Sequence, residues 1–117
     1  MKIVKGLVGI ASGIVYACIL CYLLIASPMI AGYKPVVVLS GSMEPTYHVG
    51  SLIYVKDADP QDVQIGDPIT FKISDDTMVT HRVVAIDTEA QTFQTKGDAN
   101  DNVDGGAVAY ENLVGKP

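Results

Sequence analysis

The sequence predicts a mainly β protein in which an N-terminal transmembrane helix is followed by a small antiparallel all-β domain. The first observation is an apolar stretch without any charged side chain over residues 7–31 of a chain of 117 residues. The second is that short segments of β-forming residues alternate with turn residues in the remainder, where no helical periodicity is evident. This remainder has room for one compact domain only.

The apolar stretch is long enough to cross a bilayer, because a helix over residues 7–31 extends about 37 Å and the hydrocarbon core is roughly 30 Å thick. A cleavable signal peptide has a shorter apolar segment and a small-x-small site, which Met29-Ile30-Ala31 lacks. A buried soluble helix is disfavoured because little other apolar surface is available to cover it. We expect a cytosolic N-terminus over residues 1–6, an uncleaved anchor over 7–31 and an extracytoplasmic domain over 34–117.

The charge distribution predicts the orientation of this anchor. Lys2 and Lys5 lie before the apolar stretch, whereas every acidic residue, from Glu44 to Glu111, lies after it. The acidic domain argues against nucleic acid as a partner and gives no sign of an anionic-lipid patch. The lipid bilayer is an expected partner because of the anchor alone. The domain also lacks an N-glycosylation sequon. We expect a single-pass protein of a prokaryotic plasma membrane.

Small and sulfur-containing residues lie within the apolar stretch. Gly9, Gly13 and Ala17 repeat every four residues, a spacing that would let a partner transmembrane helix approach closely. Cys18 and Cys21 form a C-x-x-C pair, but inside the bilayer they would be out of reach of redox partners and aqueous metals. We therefore assign no redox role to the cysteines.

Five strands are predicted after the anchor from runs of β-branched, aromatic and other apolar residues bounded by Gly, Pro, Asp and Ser. They cover residues 36–39, 52–56, 69–73, 78–86 and 92–95. Antiparallel pairing is expected because no stretch after Ala31 has the helical period of a crossover helix.

A candidate nucleophile follows the first predicted strand. Ser40 and Ser42 bracket Gly41, where the chain leaves the strand and enters a turn. A serine in such a turn can be exposed beside converging backbone N–H groups, as acyl transfer requires. The same tripeptide also occurs in ordinary loops, so it does not establish catalysis by itself.

A candidate general base lies in the longest predicted strand. By alternation His81 shares a face with Val79 and Val83, which holds a group that titrates near neutral pH on an apolar surface. The alternative is a structural histidine bonded to a backbone carbonyl. His48 lies in a polar turn, and we expect it to be solvated.

The loop over residues 96–106 is rich in aspartate and asparagine and permits two interpretations. Asp98, Asn100 and Asn102 match the first ligands of a calcium-binding EF-hand loop, but Val103 replaces the required glycine and Ala109 the bidentate glutamate. The other interpretation is that one aspartate orients His81 as the acid of a Ser-His-Asp triad.

Four short blocks, in this order and after a membrane anchor, resemble the type I signal peptidases of archaea, the endoplasmic reticulum and some Gram-positive bacteria. The blocks are Ser40-Gly41-Ser42-Met43-Glu44-Pro45-Thr46, Gly66-Asp67-Pro68-Ile69, His81-Arg82-Val83 and Lys96-Gly97-Asp98-Ala99-Asn100. The resemblance implies a signal-peptidase-like catalytic domain.

Residue by residue, the resemblance makes Ser42 the nucleophile and His81 the base, where the better-known bacterial branch has a lysine. It implies that Ser40 helps the Ser42 backbone N–H to bind the oxyanion. Asp98 and Asp104 both match functional positions, and Asp104 is favoured as the residue that orients His81.

The same resemblance implies a hydrolase that removes signal peptides from secretory preproteins at small-x-small sites, with no metal and no organic cofactor. Family members usually continue with a further strand beyond the segment that resembles residues 112–117. The resemblance therefore does not say how the sheet closes in this sequence. Two other functions are weighed: a catalytically inactive accessory subunit of a secretion assembly, and a calcium-dependent adhesion module. An inactive relative would typically lack Ser42, His81 or Asp104, and this chain has all three.

Overall fold

The computed structural model describes residues 1–117, which form two units over Met1–Gly32 and Tyr33–Pro117. The first unit is a single helix, α1, over Lys2–Ile30. It is long and apolar enough to cross a membrane, and none of its residues is buried. Gly32 follows it with a φ of 89°, the left-handed conformation in which glycine commonly ends a helix. The division into anchor and domain at the predicted boundaries stays a prediction.

The second unit contains seven strands and three single-turn 3₁₀ helices. The strands are β1 (Tyr33–Val37), β2 (Leu52–Lys56), β3 (Pro68–Lys72), β4 (Met78–Asp87), β5 (Thr92–Lys96), β6 (Val108–Ala109) and β7 (Leu113–Gly115). The 3₁₀ helices cover Gly41–Met43, Pro60–Asp62 and Tyr110–Asn112. The predicted combination of an N-terminal apolar helix and a small antiparallel β domain is confirmed.

All of the strand pairings are antiparallel. β1 pairs with β2 in a two-stranded sheet, and the other five strands form a sheet in the order β6-β5-β4-β3-β7. β4 is the central strand and the longest. It pairs with β3 along Met78–Arg82 and with β5 from Arg82 onward, so its first residues have no strand on the β5 side.

The core lies on the inner face of the larger sheet and follows the alternation expected of strands with one buried face. Its buried members are Val63, Ile69, Phe71, Val83, Phe93 and Val108. Phe93 stacks on Tyr110 with ring centroids 4.7 Å apart. Burial of each of these larger side chains stabilises the domain by about 1.5–3 kcal/mol, because apolar surface is removed from water. The core fixes β3, β4 and β5 relative to one another.

The structure differs from the sequence prediction at the shortest elements. β1 covers Tyr33–Val37 instead of residues 36–39. Val38 is still bonded to Gly50 and Ser51 before β2, whereas Leu39 lies in the segment that leads to the next turn. β6 and β7 were not predicted, nor were the three 3₁₀ helices. Strands of two or three residues are too short for a periodic pattern, and their pairing depends on distant partners.

The final residues connect the two sheets. β7 pairs with the edge of β3, and the next residue, Lys116, forms a bridge with Lys56 at the end of β2 through two backbone hydrogen bonds of 2.9 Å. Gly115 lies so close to this junction that a Cβ atom there would overlap the Lys56 carbonyl oxygen. Residues 112–117 therefore contribute an edge strand and a link between sheets.

We expect Gly115→Ala to destabilise the domain by about 1–3 kcal/mol, because the added methyl group forces the two backbones apart. Urea unfolding of the full chain in detergent micelles, followed by far-UV circular dichroism, measures the change. Gly105→Ala is the matched control, since a Cβ at Gly105 meets nothing within 4 Å. Equal stability of the two variants would contradict the prediction.

Candidate active site

Ser42 lies in the 3₁₀ turn between β1 and β2 and is held there by its neighbours. Met43 is 2% exposed, so its side chain anchors the turn in the protein interior. The Ser42 carbonyl accepts a 2.9 Å hydrogen bond from the Ala99 N–H. A Cβ at Gly97 would lie 2.6 Å from the same carbonyl oxygen, so only glycine permits this approach. The Ser42 side chain is partly exposed on a fixed backbone.

His81 lies on β4 and is 9% exposed. It pairs with Ile69 of β3 in the sheet register, and its ring is in a T-shaped arrangement with the Phe71 ring at a centroid distance of 6.4 Å. Val83, two residues further along, is fully buried on the same face. The predicted placement of the histidine on an apolar face agrees with this geometry.

The structure brings Ser42, His81 and Asp104 into one chain of hydrogen bonds. His81 Nε2 lies 3.0 Å from Ser42 Oγ, and His81 Nδ1 lies 2.6 Å from Asp104 Oδ2. Ser40 Oγ extends the chain, at 3.1 Å from Ser42 Oγ. The residues come from separate segments, β4 and the two loops that precede β2 and β6.

The carboxylate sets the direction of these hydrogen bonds. A carboxylate only accepts, so Nδ1 of His81 carries the proton, and in neutral imidazole Nε2 is then an acceptor. The Ser42 hydroxyl can donate to Nε2 and accept from Ser40. This arrangement can move a proton from a serine nucleophile to a histidine base.

Asp98 does not contact His81 and belongs to a second cluster. Arg82 binds it through two hydrogen bonds of 2.8 Å, from Nε to Oδ1 and from an Nη atom to Oδ2, and Thr46 donates a third at 2.6 Å. Arg82 also donates to the Gly66 carbonyl at 2.7 Å. The Arg82 guanidinium, with the Thr46 hydroxyl, lowers the pKa of Asp98 from 3.8 to about 2. This cluster ties β4 to the turn that follows Ser42.

A cleft of about 270 Å³ opens beside Ser42. Its walls are residues 36–40 of the β1 segment and residues 77–80 at the start of β4. β1 pairs only with β2, and β4 pairs with β5 only from Arg82, so each strand keeps one edge without a strand partner near the cleft. Backbone groups of both strands are therefore available to an extended peptide.

The remaining sequence candidates occupy other places. His48 is exposed and pairs with Glu44. Cys18 and Cys21 are free thiols on α1. No three side chains of His, Cys, Asp or Glu form a group that could hold a metal ion, and Asp98, the first position of the calcium-loop pattern, faces Arg82.

Sequence reasoning gave no role to Arg82 or Thr46. Arg82 stands directly after His81 in a matched block, and its charge was the only available signal. Thr46 ends the first matched block, but its contact with Asp98 spans 52 positions of the chain and leaves no local signal.

We expect the Asp98–Arg82 contact to stabilise the domain in a pH-dependent way. The folded-state pKa of about 2 lies below the unfolded value of 3.8, so the folded state holds fewer protons between these values. The contribution, on the order of 2 kcal/mol, is present above the unfolded pKa and is lost as the pH falls through about 2.

Urea unfolding of the full chain in micelles at pH 7 and at pH 2.5 or so tests this expectation. Asp98→Asn should destabilise the protein at pH 7, and its difference from the parent should shrink on acidification. Asp101→Asn, in the same loop but exposed, is the matched control. A destabilisation by Asp98→Asn that is independent of pH would refute the electrostatic origin.

Comparison with known proteins identifies the family of this chain. The family model described as signal peptidase, peptidase S26, matches residues 10–112. The chain is 46% identical over 89 residues to signal peptidase I W of Bacillus subtilis, which covers 74% of this chain and 47% of that protein. It is 39% identical over 75 residues to the human signal peptidase complex catalytic subunit SEC11C, which covers 61% of this chain and 39% of that protein.

The chain thus spans less than half the length of these curated relatives. The family match nevertheless includes most of α1 and nearly all of the β domain, with every residue of the Ser42–His81–Asp104 chain of hydrogen bonds. This chain belongs to the peptidase S26 family of signal peptidases.

Proposed function

We propose that the protein is a membrane-bound serine endopeptidase that removes N-terminal signal peptides from secretory preproteins at small-x-small sites. The observation that carries the proposal is the hydrogen-bonded chain from Ser42 through His81 to Asp104. Membership of a peptidase family and the relatives named as signal peptidases support the same activity.

In the proposed mechanism Ser42 Oγ attacks the scissile carbonyl while His81 Nε2 takes its proton. The resulting imidazolium gives this proton to the leaving amine, and an acyl-enzyme remains on Ser42. Water then attacks the acyl-enzyme with His81 again as the base. Asp104 keeps the imidazole in the required tautomer and stabilises its positive charge.

The oxyanion is assigned to the Ser42 backbone N–H with the Ser40 hydroxyl beside it. Ser42 lies in the first turn of a 3₁₀ helix, where backbone N–H groups lack helical partners. Donors of this kind, placed where negative charge develops, typically contribute a factor of about 10²–10³ to kcat. The Ser40 hydroxyl lies 3.1 Å from Ser42 Oγ and so is close to the atom that would attack the carbonyl.

The cleft beside Ser42 supports a peptide substrate. An extended peptide between the unpaired edges of β1 and β4 would gain main-chain hydrogen bonds, which do not depend on its sequence. Selection of small residues before the cleavage site would then depend on how little room the cleft leaves for their side chains. This division suits signal peptides, which share small residues near the cut but little other sequence.

Asp98 is assigned a different role from Asp104 in this proposal. Because Arg82 and Thr46 hold its carboxylate, Asp98 positions the Ser42 turn relative to β4 instead of acting on His81. We further propose that α1 anchors the enzyme in a lipid bilayer of a prokaryotic plasma membrane with a cytosolic N-terminus. Gly9, Gly13 and Ala17 on α1 would accept a partner helix.

We expect Ser42→Ala, His81→Ala and Asp104→Ala each to reduce preprotein cleavage by at least about 10³-fold, because each removes one member of the proton-transfer chain. The assay follows cleavage of a preprotein with an Ala-x-Ala site by the full chain in liposomes. His48→Ala, which changes the other histidine, should retain the activity of the parent.

Activity that survives in Ser42→Ala would contradict the proposed nucleophile. A folded parent that binds preproteins without cutting them would instead favour an accessory subunit of a secretion assembly. Peptide mass determination of the products shows whether the cut follows the second alanine.

The proposed orientation predicts that the N-terminus and the β domain react differently with a reagent that cannot cross the membrane. In a chain with Cys18 and Cys21 replaced by alanine, a membrane-impermeant maleimide applied to intact cells should label Asp75→Cys, whose parent residue is exposed on the domain. It should label Lys2→Cys only after the cells are opened. The reverse pattern would overturn the orientation.

A further inference from the structure

Thr95 is a fully buried threonine that contacts the hydrogen-bonded chain at its far end. It lies on β5 opposite Val83 of β4, and its exposure is 0%. Its hydroxyl donates a 2.6 Å hydrogen bond to Asp104 Oδ2, the same oxygen that lies 2.6 Å from His81 Nδ1. Asp104 Oδ2 therefore receives two short hydrogen bonds from two adjacent strands.

The backbone of Thr95 holds the same aspartate. Its carbonyl accepts a 2.8 Å hydrogen bond from the Asp104 N–H, so Thr95 holds both the backbone and the carboxylate of Asp104. The Asp104 side chain is 26% exposed, which leaves solvent accessible as an alternative partner for the carboxylate. Without the Thr95 hydroxyl, nothing else on β5 donates to Oδ2.

We propose that Thr95 is a positioning residue for catalysis, which holds Asp104 Oδ2 at the place where it accepts the His81 Nδ1 proton. The inference rests on the proposed peptidase function and deepens it. Thr95 contacts neither Ser42 nor the cleft. Its effect reaches the reaction through the orientation of Asp104 and, through that, of the imidazole ring.

The register of the sheet explains why a threonine on β5 can do this. The β4–β5 ladder begins with the pair of Arg82 and Lys96, and Thr95 lies opposite Val83 in the next pair. His81 precedes Arg82 and therefore lies just outside the ladder. The core-facing side chain of β5 at this level points toward the same interior as His81. A valine of equal shape would fill the space but leave Oδ2 with one donor fewer.

The expected effect lies in kcat. Loss of an outer hydrogen bond to a group that orients a catalytic side chain typically costs about 10–100-fold. Substrate binding in the cleft does not involve Thr95, so KM should change little. We therefore expect Thr95→Val to lower kcat about 10–100-fold and Thr95→Ser, which keeps the hydroxyl, to restore most of it.

Thr70→Val is the matched control. Thr70 is likewise fully buried in the larger sheet, and its hydroxyl bonds the Thr80 hydroxyl at 2.7 Å, away from Asp104. It should lose stability in urea unfolding comparable to that lost by Thr95→Val while kcat stays unchanged. This comparison separates catalytic positioning from general weakening of the sheet.

Two measurements complete the test on the full chain in micelles or liposomes. In a double-mutant cycle, Thr95→Val should have no further effect on kcat in an Asp104→Ala background, because Thr95 acts through that carboxylate. By proton NMR, the far-downfield resonance of the His81 Nδ1 proton should shift or broaden in Thr95→Val and return in Thr95→Ser. The NMR measurement needs no substrate and is informative even when cleavage is slow.

The inference is overturned if Thr95→Val has the same kcat as Thr70→Val and leaves the resonance of the His81 Nδ1 proton unchanged. It is also overturned when Thr95→Val and Asp104→Ala reduce kcat additively. A parent chain that cuts no preprotein while the NMR response occurs as described defeats the peptidase proposal but keeps Thr95 as the residue that orients Asp104. The two failures are therefore distinguishable.

Discussion

The hydrogen bond between His81 Nδ1 and Asp104 Oδ2 is the interaction on which the candidate site depends. It fixes one tautomer of an imidazole that is almost fully buried, and this leaves Nε2 as an acceptor toward Ser42. An inward-facing histidine without a partner would cost the domain on the order of 1–3 kcal/mol. The same contact therefore satisfies a polar group in the core and directs a proton path to the surface.

Two aspartates six positions apart divide the electrostatic work of the loop. Asp98 faces a cation, and its low pKa follows from the two hydrogen bonds with Arg82. Asp104 faces a histidine and one neutral donor, the Thr95 hydroxyl, so it can respond to the charge that forms on the ring. If Asp98 and Asp104 exchanged these environments, proton transfer to the ring would be hindered, because a guanidinium beside the imidazole disfavours the protonated form of the ring.

Local pattern accounts for much of what the sequence predicted, and distance along the chain accounts for what it missed. β4 and the inward direction of His81 follow from alternation, and the Ser42 turn follows from its residue types. Loop spacing could not distinguish Asp98 from Asp104, because their partners lie on a neighbouring strand. β7 and the role of Thr95 were equally inaccessible: a threonine in a strand fits ordinary β propensity, and its partner is known only from the fold.

An unpaired strand edge is usually a liability, since its free N–H and C=O groups invite aggregation. Here Val37, the last residue of β1, and Leu39, in the segment that follows, are more than half exposed shortly before Ser42, and β1 has an edge that no other strand covers. The domain could have closed this gap by pairing β1 with the start of β4, and the bridge between Lys56 and Lys116 already brings the two sheets together elsewhere. Ser42 lies at the end of this gap. Under the proposed function, a substrate strand that completes the sheet would deliver its own carbonyl to Ser42, so one constraint would account for both the unpaired edge and the position of Ser42.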